Sequence, residues 1–258
     1  MIPLTKLKLT ALLFWVTIIA GIFISGIMPA SANIVILSTR VIYPEAAREV
    51  NIRIENKGDL PSLIQTWIDE GDASAPVNTL EVPFVLMPPV SRIDGHKGQT
   101  LRLAYTGKAL PKDKESVFWL NVLDIPPKNS AAAVTNTLQM AIRSRIKIFF
   151  RPAGLSAQGA LTAAKDLRWS SLKTAYGTEL AAVNTSPYHI NVSSVTLENK
   201  GKKTVTSEGI MIPPGATHKF PMKTAQPMSE KGKITYQIIN DFGGMSEFQV
   251  QDNARQTL

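Results

Sequence analysis

The chain contains no cysteine and only three histidines in 258 residues. Without cysteine there is no thiol nucleophile, no thiolate metal site and no disulfide, so the fold must rest on packed cores. The histidines, His96, His189 and His218, stand far apart and show no metal-ligand spacing. After residue 27 there is no apolar run long enough to cross a bilayer. Acidic residues are the minority charge, 20 Asp and Glu against 28 Lys and Arg, giving +8. Most of that excess is scattered rather than gathered into a basic patch with interleaved aromatics, which argues against a nucleic-acid partner. Catalytic motifs are scarce too. Asp241-Phe242-Gly243 imitates a kinase triplet, but no Gly-rich loop or H-R-D accompanies it, and it reads as a turn feeding a hairpin. Asn184-Thr185-Ser186 and Asn191-Val192-Ser193 fit glycosylation sequons, a pattern frequent by chance.

The N-terminus carries a clear signal. Lys6 and Lys8 precede an uncharged run from Ala11 to Ile27, followed by Met28-Pro29-Ala30-Ser31-Ala32. A basic start, an apolar stretch and an A-x-A ending are the three parts of a secretory signal peptide. A membrane anchor is the rival reading, but the Ala-Ser-Ala site and the lack of a stop-transfer cluster favour export. Residues 1–32 are therefore read as a cleaved signal, with no membrane insertion afterwards. They hold two lysines and no acid, so the mature chain from Asn33 carries +6.

Beyond Asn33 the sequence is built of short apolar, β-branched runs separated by turn residues. Ile34 to Tyr43, Val50 to Glu55, Leu63 to Asp69, Phe84 to Arg92, Leu101 to Tyr105 and Val117 to Ile125 read as strands. Pro88-Pro89 confines the fourth of these to an edge or a bend. A seventh strand lies in Thr137 to Arg151, where Leu138, Met140, Ile142, Ser144, Ile146, Ile148 and Phe150 alternate with a basic row of Arg143, Arg145, Lys147 and Arg151. Successive strand residues point to opposite faces, so this segment separates a greasy row from a cationic one. From Leu138 to Phe150 it would reach about 43 Å, far beyond an ordinary strand. Such a strand must be buried in a sheet or kept to pair with another chain.

Seven strands with no helical period between them predict an antiparallel sandwich over residues 33–152. Arg151-Pro152-Ala153-Gly154 ends the long strand and opens an Ala-rich stretch. A second β domain is read over 153–258, from strands at Leu167 to Leu172, Glu179 to Asn184, His189 to Leu197, Lys203 to Thr206, Thr217 to Met222, Lys233 to Asn240 and Glu247 to Val250. The expected fold class is all-β.

Several segments carry a family resemblance. Leu110-Pro-Lys-Asp-Lys-Glu115-Ser-Val-Phe-Trp-Leu-Asn121-Val-Leu-Asp-Ile125-Pro126 resembles the signature of periplasmic pilus-assembly chaperones, the PapD-like family. Arg145-Ile-Lys147-Ile-Phe-Phe-Arg151-Pro152 is similar to the last strand of that family's first domain. Thr39-Arg40-Val-Ile-Tyr43 is similar to its first strand, and Ile239-Asn-Asp241-Phe-Gly-Gly244 to a second-domain motif. The resemblance implies two immunoglobulin-like sandwiches set at an angle around a cleft. It also implies a protein that needs no cofactor, binds pilus or fimbrial subunits by donor-strand complementation in the periplasm, and delivers them to an outer-membrane usher. Sandwich architecture and strand addition are long-established properties of that family.

On this resemblance Leu138, Met140 and Ile142 are the donor residues. Arg40 and Lys147 form the cleft pair that holds a subunit's terminal carboxylate, with Thr39 adding a hydrogen bond. Glu115, Arg151 and Asp241 form a structural salt-bridge network at the domain junction. The connector from Lys128 to Thr137 resembles the short-loop branch of the family. Self-association is one way for the free protein to shield its strand. The competing readings are a secreted immunoglobulin-like adhesin or structural pilus subunit, and a periplasmic prolyl isomerase or other folding catalyst. Subunits show one domain with an N-terminal donor extension, and an isomerase needs a polar pocket that the scattered histidines do not supply.

Overall fold

The computed structural model describes residues 33–127, 139–174, 177–207, 209–222 and 232–251. The expected export signal (1–32), the whole connector (128–137) and the donor position Leu138 lie outside the described residues. In chain order the first half contains β1 (Ile34–Ile36), β2 (Arg40–Pro44), β3 (Val50–Asn56), β4 (Ser62–Asp69), β5 (Phe84–Met87), β6 (Val90–Ile93), β7 (Gly98–Tyr105), β8 (Ser116–Ile125) and β9 (Ile142–Arg151). They form two sheets, ordered β1-β3-β7-β5 and β2-β9-β8-β4-β6. One core lies between the sheets. It contains Tyr43, Ile54, Phe84, Leu101, Phe118, Ile148 and Phe150, all buried. Tyr43 stacks on Phe150 with centroids 6.1 Å apart, and its hydroxyl donates to the Ala47 carbonyl and accepts from the Tyr105 N–H.

Two segments expected to be single strands are each divided between the sheets. Ile34 to Tyr43 splits into β1, which pairs with β3, and β2, which pairs with β9. The chain crosses the sandwich edge at residues 37–39, so one apolar run serves both layers. Phe84 to Arg92 splits at Pro88-Pro89 into β5 and β6, in different sheets. Neither proline can donate to a ladder, but both carbonyls still accept from Thr66.

The long strand is shorter than expected. β9 begins at Ile142, and residues 139–141, Met140 among them, are not in a strand. The partner ladder explains this. β9 pairs antiparallel with β8 as far as Ile142 opposite Asp124, and next to Ile125 come Pro126 and Pro127, which have no N–H. The hydrophobic period continues upstream, but the backbone on which to pair does not.

The second half contains α1 (Ala157–Lys165), β10 (Arg168–Thr174), β11 (Gly177–Val183), β12 (Ile190–Asn199), β13 (Lys202–Thr206), β14 (Ile210–Ile212), β15 (Thr217–Met222), β16 (Lys233–Ile239) and β17 (Met245–Gln251). Its sheets are β10-β11-β15 and β13-β12-β16-β17, with β14 also on β12. They enclose a second core around Leu180, Val195, Leu197, Phe220 and Tyr236. Helix α1 is an element that strand periodicity did not reveal. Ser156 caps it by accepting the Gly159 N–H, and the Tyr236 hydroxyl, inside the second core, donates to the Ala164 carbonyl. Burial raises the Tyr236 phenol to about 12, so this donor keeps its proton at any ordinary pH. The molecule is two immunoglobulin-like sandwiches, as the sequence predicts, with α1 at the start of the second.

The sequon at Asn184 is consumed by the fold. Asn184 is buried, and its amide donates to the carbonyls of Tyr188, Ile212 and Pro213. Asp241-Phe242-Gly243 is a turn between β16 and β17, closed by Gly243 N–H to the Asn240 carbonyl. Gly243 is at φ 80°, and a Cβ there would run into the Thr39 hydroxyl, so glycine is required on both counts.

Candidate functional site

Strand β9 gives its two faces different work. Ile146, Ile148 and Phe150 pack on the first core, while Arg145, Lys147, Phe149 and Arg151 lie on the opposite face. That face meets the second domain: the Phe149 ring is 5.7 Å from that of His189. Beside it, β2 runs parallel to β9 with Arg40 in register with Lys147, so two cations far apart in sequence emerge side by side. Arg40 Nη1 donates to the Ile239 carbonyl at 2.8 Å, and Lys147 Nζ donates to Asn191 Oδ1 at 3.1 Å. Thr39, one residue before Arg40, is exposed against the Gly243 turn. A cavity of about 350 Å³ lies beside Arg40, with Phe149, Leu161, His189, Asn191 and Ile239 among its walls; Lys147 does not line it.

The acids are distributed unevenly over this face. Arg151 is buried and satisfied: Nε donates to Glu115 Oε1 at 2.8 Å, and Nη1 and Nη2 donate to Asp241 at 2.6 and 3.1 Å. Burial alone would lower its pKa, but the two carboxylates outweigh that and raise it. Glu115 also accepts the His189 N–H at 2.8 Å, and its own N–H donates to the Pro187 carbonyl. The three residues named from the sequence therefore meet, and they join the domains. Arg145 pairs with Asp69, and Arg143 Nη1 donates to the Ala73 carbonyl at 2.8 Å.

Arg40 and Lys147 differ from their neighbours. Among the described residues neither reaches a carboxylate within ion-pair distance. Burial lowers both pKa values; longer-range attraction to Asp241 opposes this at Arg40, whereas repulsion from Arg40 lowers Lys147 further. Arg40 Nε is also buried without a hydrogen-bond partner. Two partly desolvated cations in register, with a spare donor and no acid, form a site that a carboxylate would complete.

The remaining feature is a free edge. β2 covers β9 only from Lys147 to Arg151, so Ile142 to Ile146 pair with β8 alone among the described residues. At that end Ile142 and Met140 are 51% and 64% exposed. Sequence reasoning missed Asn191, His189 and Asp69 as partners of the cationic face. Asn191 lay inside an apparent sequon, and Asp69 looked like the end of a strand.

Fold and site together define a two-domain immunoglobulin-like protein with a cationic cleft beside a partly unpaired strand. Two family models cover the two halves: "Pili and flagellar-assembly chaperone, PapD N-terminal domain" matches residues 33–156, and "Pili assembly chaperone PapD, C-terminal domain" matches 162–250. The probable fimbrial chaperone YadV of Escherichia coli K12 is 42% identical over 227 residues, 87% of this chain and 90% of the relative. The crystal structure of the Pseudomonas aeruginosa CupB2 chaperone superposes with a TM-score of 0.71 at 34% identity, covering 84% of this chain and 99% of that one. The structure of Salmonella enterica SafA pilin in complex with the SafB chaperone matches at 25% identity and TM-score 0.68, covering 87% of this chain and 98% of the matched one. The chain belongs to the PapD-like family of pilus-assembly chaperones.

Proposed function

We propose that this protein is a periplasmic chaperone that lends β9 to pilus subunits lacking a strand of their own sandwich. The subunit's terminal carboxylate would sit between Arg40 and Lys147. Its backbone would pair along the free edge from Ile146 towards Ile142, and Ile142, Met140 and Leu138 would fill its open groove. The observation that carries this reading is the registered pair of cations without an acid, at the point where the edge of β9 becomes free. The pilin bound to SafB supports the same kind of client.

The physics fits the role. At about 4 Å and an effective dielectric near 20, each cation would contribute on the order of 4 kcal/mol before desolvation is subtracted. Fixing one end also sets register, because a slip of one residue turns every paired side chain to the wrong face. Glu115, Arg151 and Asp241 would hold the angle between the sandwiches, and so the cleft, without taking part in binding. Residues 1–32 would be removed on export. Delivery to an outer-membrane usher and self-association of the free form complete the proposal. No step calls for catalysis or a cofactor.

The test is subunit capture. Lys147→Ala and Arg40→Ala should each abolish co-purification of subunits from the periplasm while the far-UV spectrum is unchanged. Wild-type yields of complex from both variants would refute the carboxylate anchor.

A further inference from the structure

The same face of β9 presents a second cation able to hold a terminal carboxylate, though without Arg40 beside it. Arg145 lies two residues before Lys147, which in a strand puts both on one face about 6.6 Å apart along the chain. It borders the free edge, because β2 reaches back only to the Lys147 position. Its guanidinium lies over the Trp119 ring, 4.8 Å from the centroid, which fixes where it points. A shift of two residues keeps every client side chain on its proper face, so period-2 alternation cannot reject it as it rejects a slip of one. The donor strand therefore carries a register ambiguity that its hydrophobic pattern cannot resolve.

Asp69 removes the ambiguity. It is 2% exposed and holds Arg145 through both carboxylate oxygens, with Arg145 Nε at 3.2 Å from Oδ2. Asn121 Nδ2 donates to Oδ2 at 2.7 Å and the Gly71 N–H to Oδ1 at 2.7 Å, so the acid is fixed independently of Arg145. Burial pushes this carboxyl up, but Arg145, Asn121 and Gly71 pull it below the usual range, and it stays ionised. We propose that Asp69 is a register-determining residue: by neutralising Arg145 it denies a client's terminal carboxylate the cation two residues short of Lys147. This rests on the carboxylate-docking reading above and extends it. Asp69 touches no client and acts through Arg145, as a positioning residue.

The absence of native cysteine makes the test direct. Ser144→Cys, on the free half of β9, is oxidatively cross-linked to a synthetic peptide of alternating valine and threonine with a free carboxylate and one cysteine. Two peptides are used. In the first the cysteine faces residue 144 when the carboxylate is at Lys147, and in the second it lies two residues nearer the carboxylate. The protein with Asp69 intact should trap only the first peptide. Adding Asp69→Asn should let it trap the second as well, a two-residue shift, and adding Arg145→Gln to that variant should abolish the shifted product. Persistence of the native register alone in Asp69→Asn overturns the inference, as does a shifted product that survives Arg145→Gln. Loss of order alone would not give a discrete product that Arg145→Gln removes. Failure of the Asp69-intact protein to trap either peptide instead overturns the docking reading itself.

Discussion

Arg151 and Lys147 stand on the same face of the same strand, yet they meet opposite surroundings. Arg151 is enclosed by Glu115 and Asp241, with donors and acceptors matched on both sides of the domain junction. Lys147 has an amide oxygen from Asn191, a second cation in register beside it, and no carboxylate in reach among the described residues. A cation with its acids is part of the architecture, whereas a desolvated cation without one is, on the proposed reading, where a client's carboxylate binds. The distinction comes from acids on other strands and not from the basic residues, which look alike in the row from Arg143 to Arg151.

The widest separation between the two should appear in stability. Arg151→Ala leaves Glu115 buried beside no guanidinium, and removing one partner of a buried ion pair typically costs about 3–5 kcal/mol. For a chain of this size that lowers Tm by about 10 °C. Lys147→Ala should leave Tm unchanged or slightly raised, since it deletes a cation that burial and Arg40 already disfavour. Calorimetry on the two variants decides the matter. A loss in Lys147→Ala as large as that in Arg151→Ala would erase the contrast.

The contrast can also be sharpened with pH. In the free protein Lys147 has a lowered pKa, so it loses its proton at a lower pH than an ordinary lysine. A bound carboxylate favours the charged form, so the complex takes up protons relative to the free protein on the alkaline side. Capture should therefore be constant below the free-state pKa and decline as pH rises through it, at a pH below the ordinary lysine value of about 10.4. Lys147→Arg, with a side chain that stays charged, should move the decline to higher pH, as read by peptide binding across an alkaline series. Identical profiles for the two proteins would show that Lys147 does not hold the carboxylate.

Much of the fold was legible because strands announce themselves by period, and β3, β4, β7 and β8 lie within a residue or three of the expected runs. The failures have physical causes. Alanine is weak evidence for either face, so α1 gave no period, although Ser156 marked its start. Ile210–Ile212 is too short to alternate, and β14 went unread. The start of β9 was placed too early because side-chain alternation says nothing about whether a partner backbone is present, and Pro126-Pro127 end the partner. At the site, Arg40 and Lys147 were reached through resemblance. Their pairing depends on the parallel β2–β9 register, which no local pattern encodes. Asp69 was invisible for the same reason, since its meaning lies in Arg145 across the sheet.

The smallest effect probes the division of faces at the free end of β9. Ile142 lies on the row of Ile146 and Ile148, half exposed where β8 alone pairs with it, and Arg143 points the other way to the Ala73 carbonyl. Burying about half of an isoleucine side chain in a client groove is worth about 1 kcal/mol at ~25 cal/mol per Å². Ile142→Ala should thus weaken client binding about fivefold without changing Tm, because its exposed half adds little to the free protein. Arg143→Ala removes one exposed hydrogen bond to a loop and should leave affinity within a factor of two. Titration of labelled peptide against both variants measures the ratio. A ratio near one would mean that the client does not read the apolar row, and the end of β9 would then contribute backbone pairing alone.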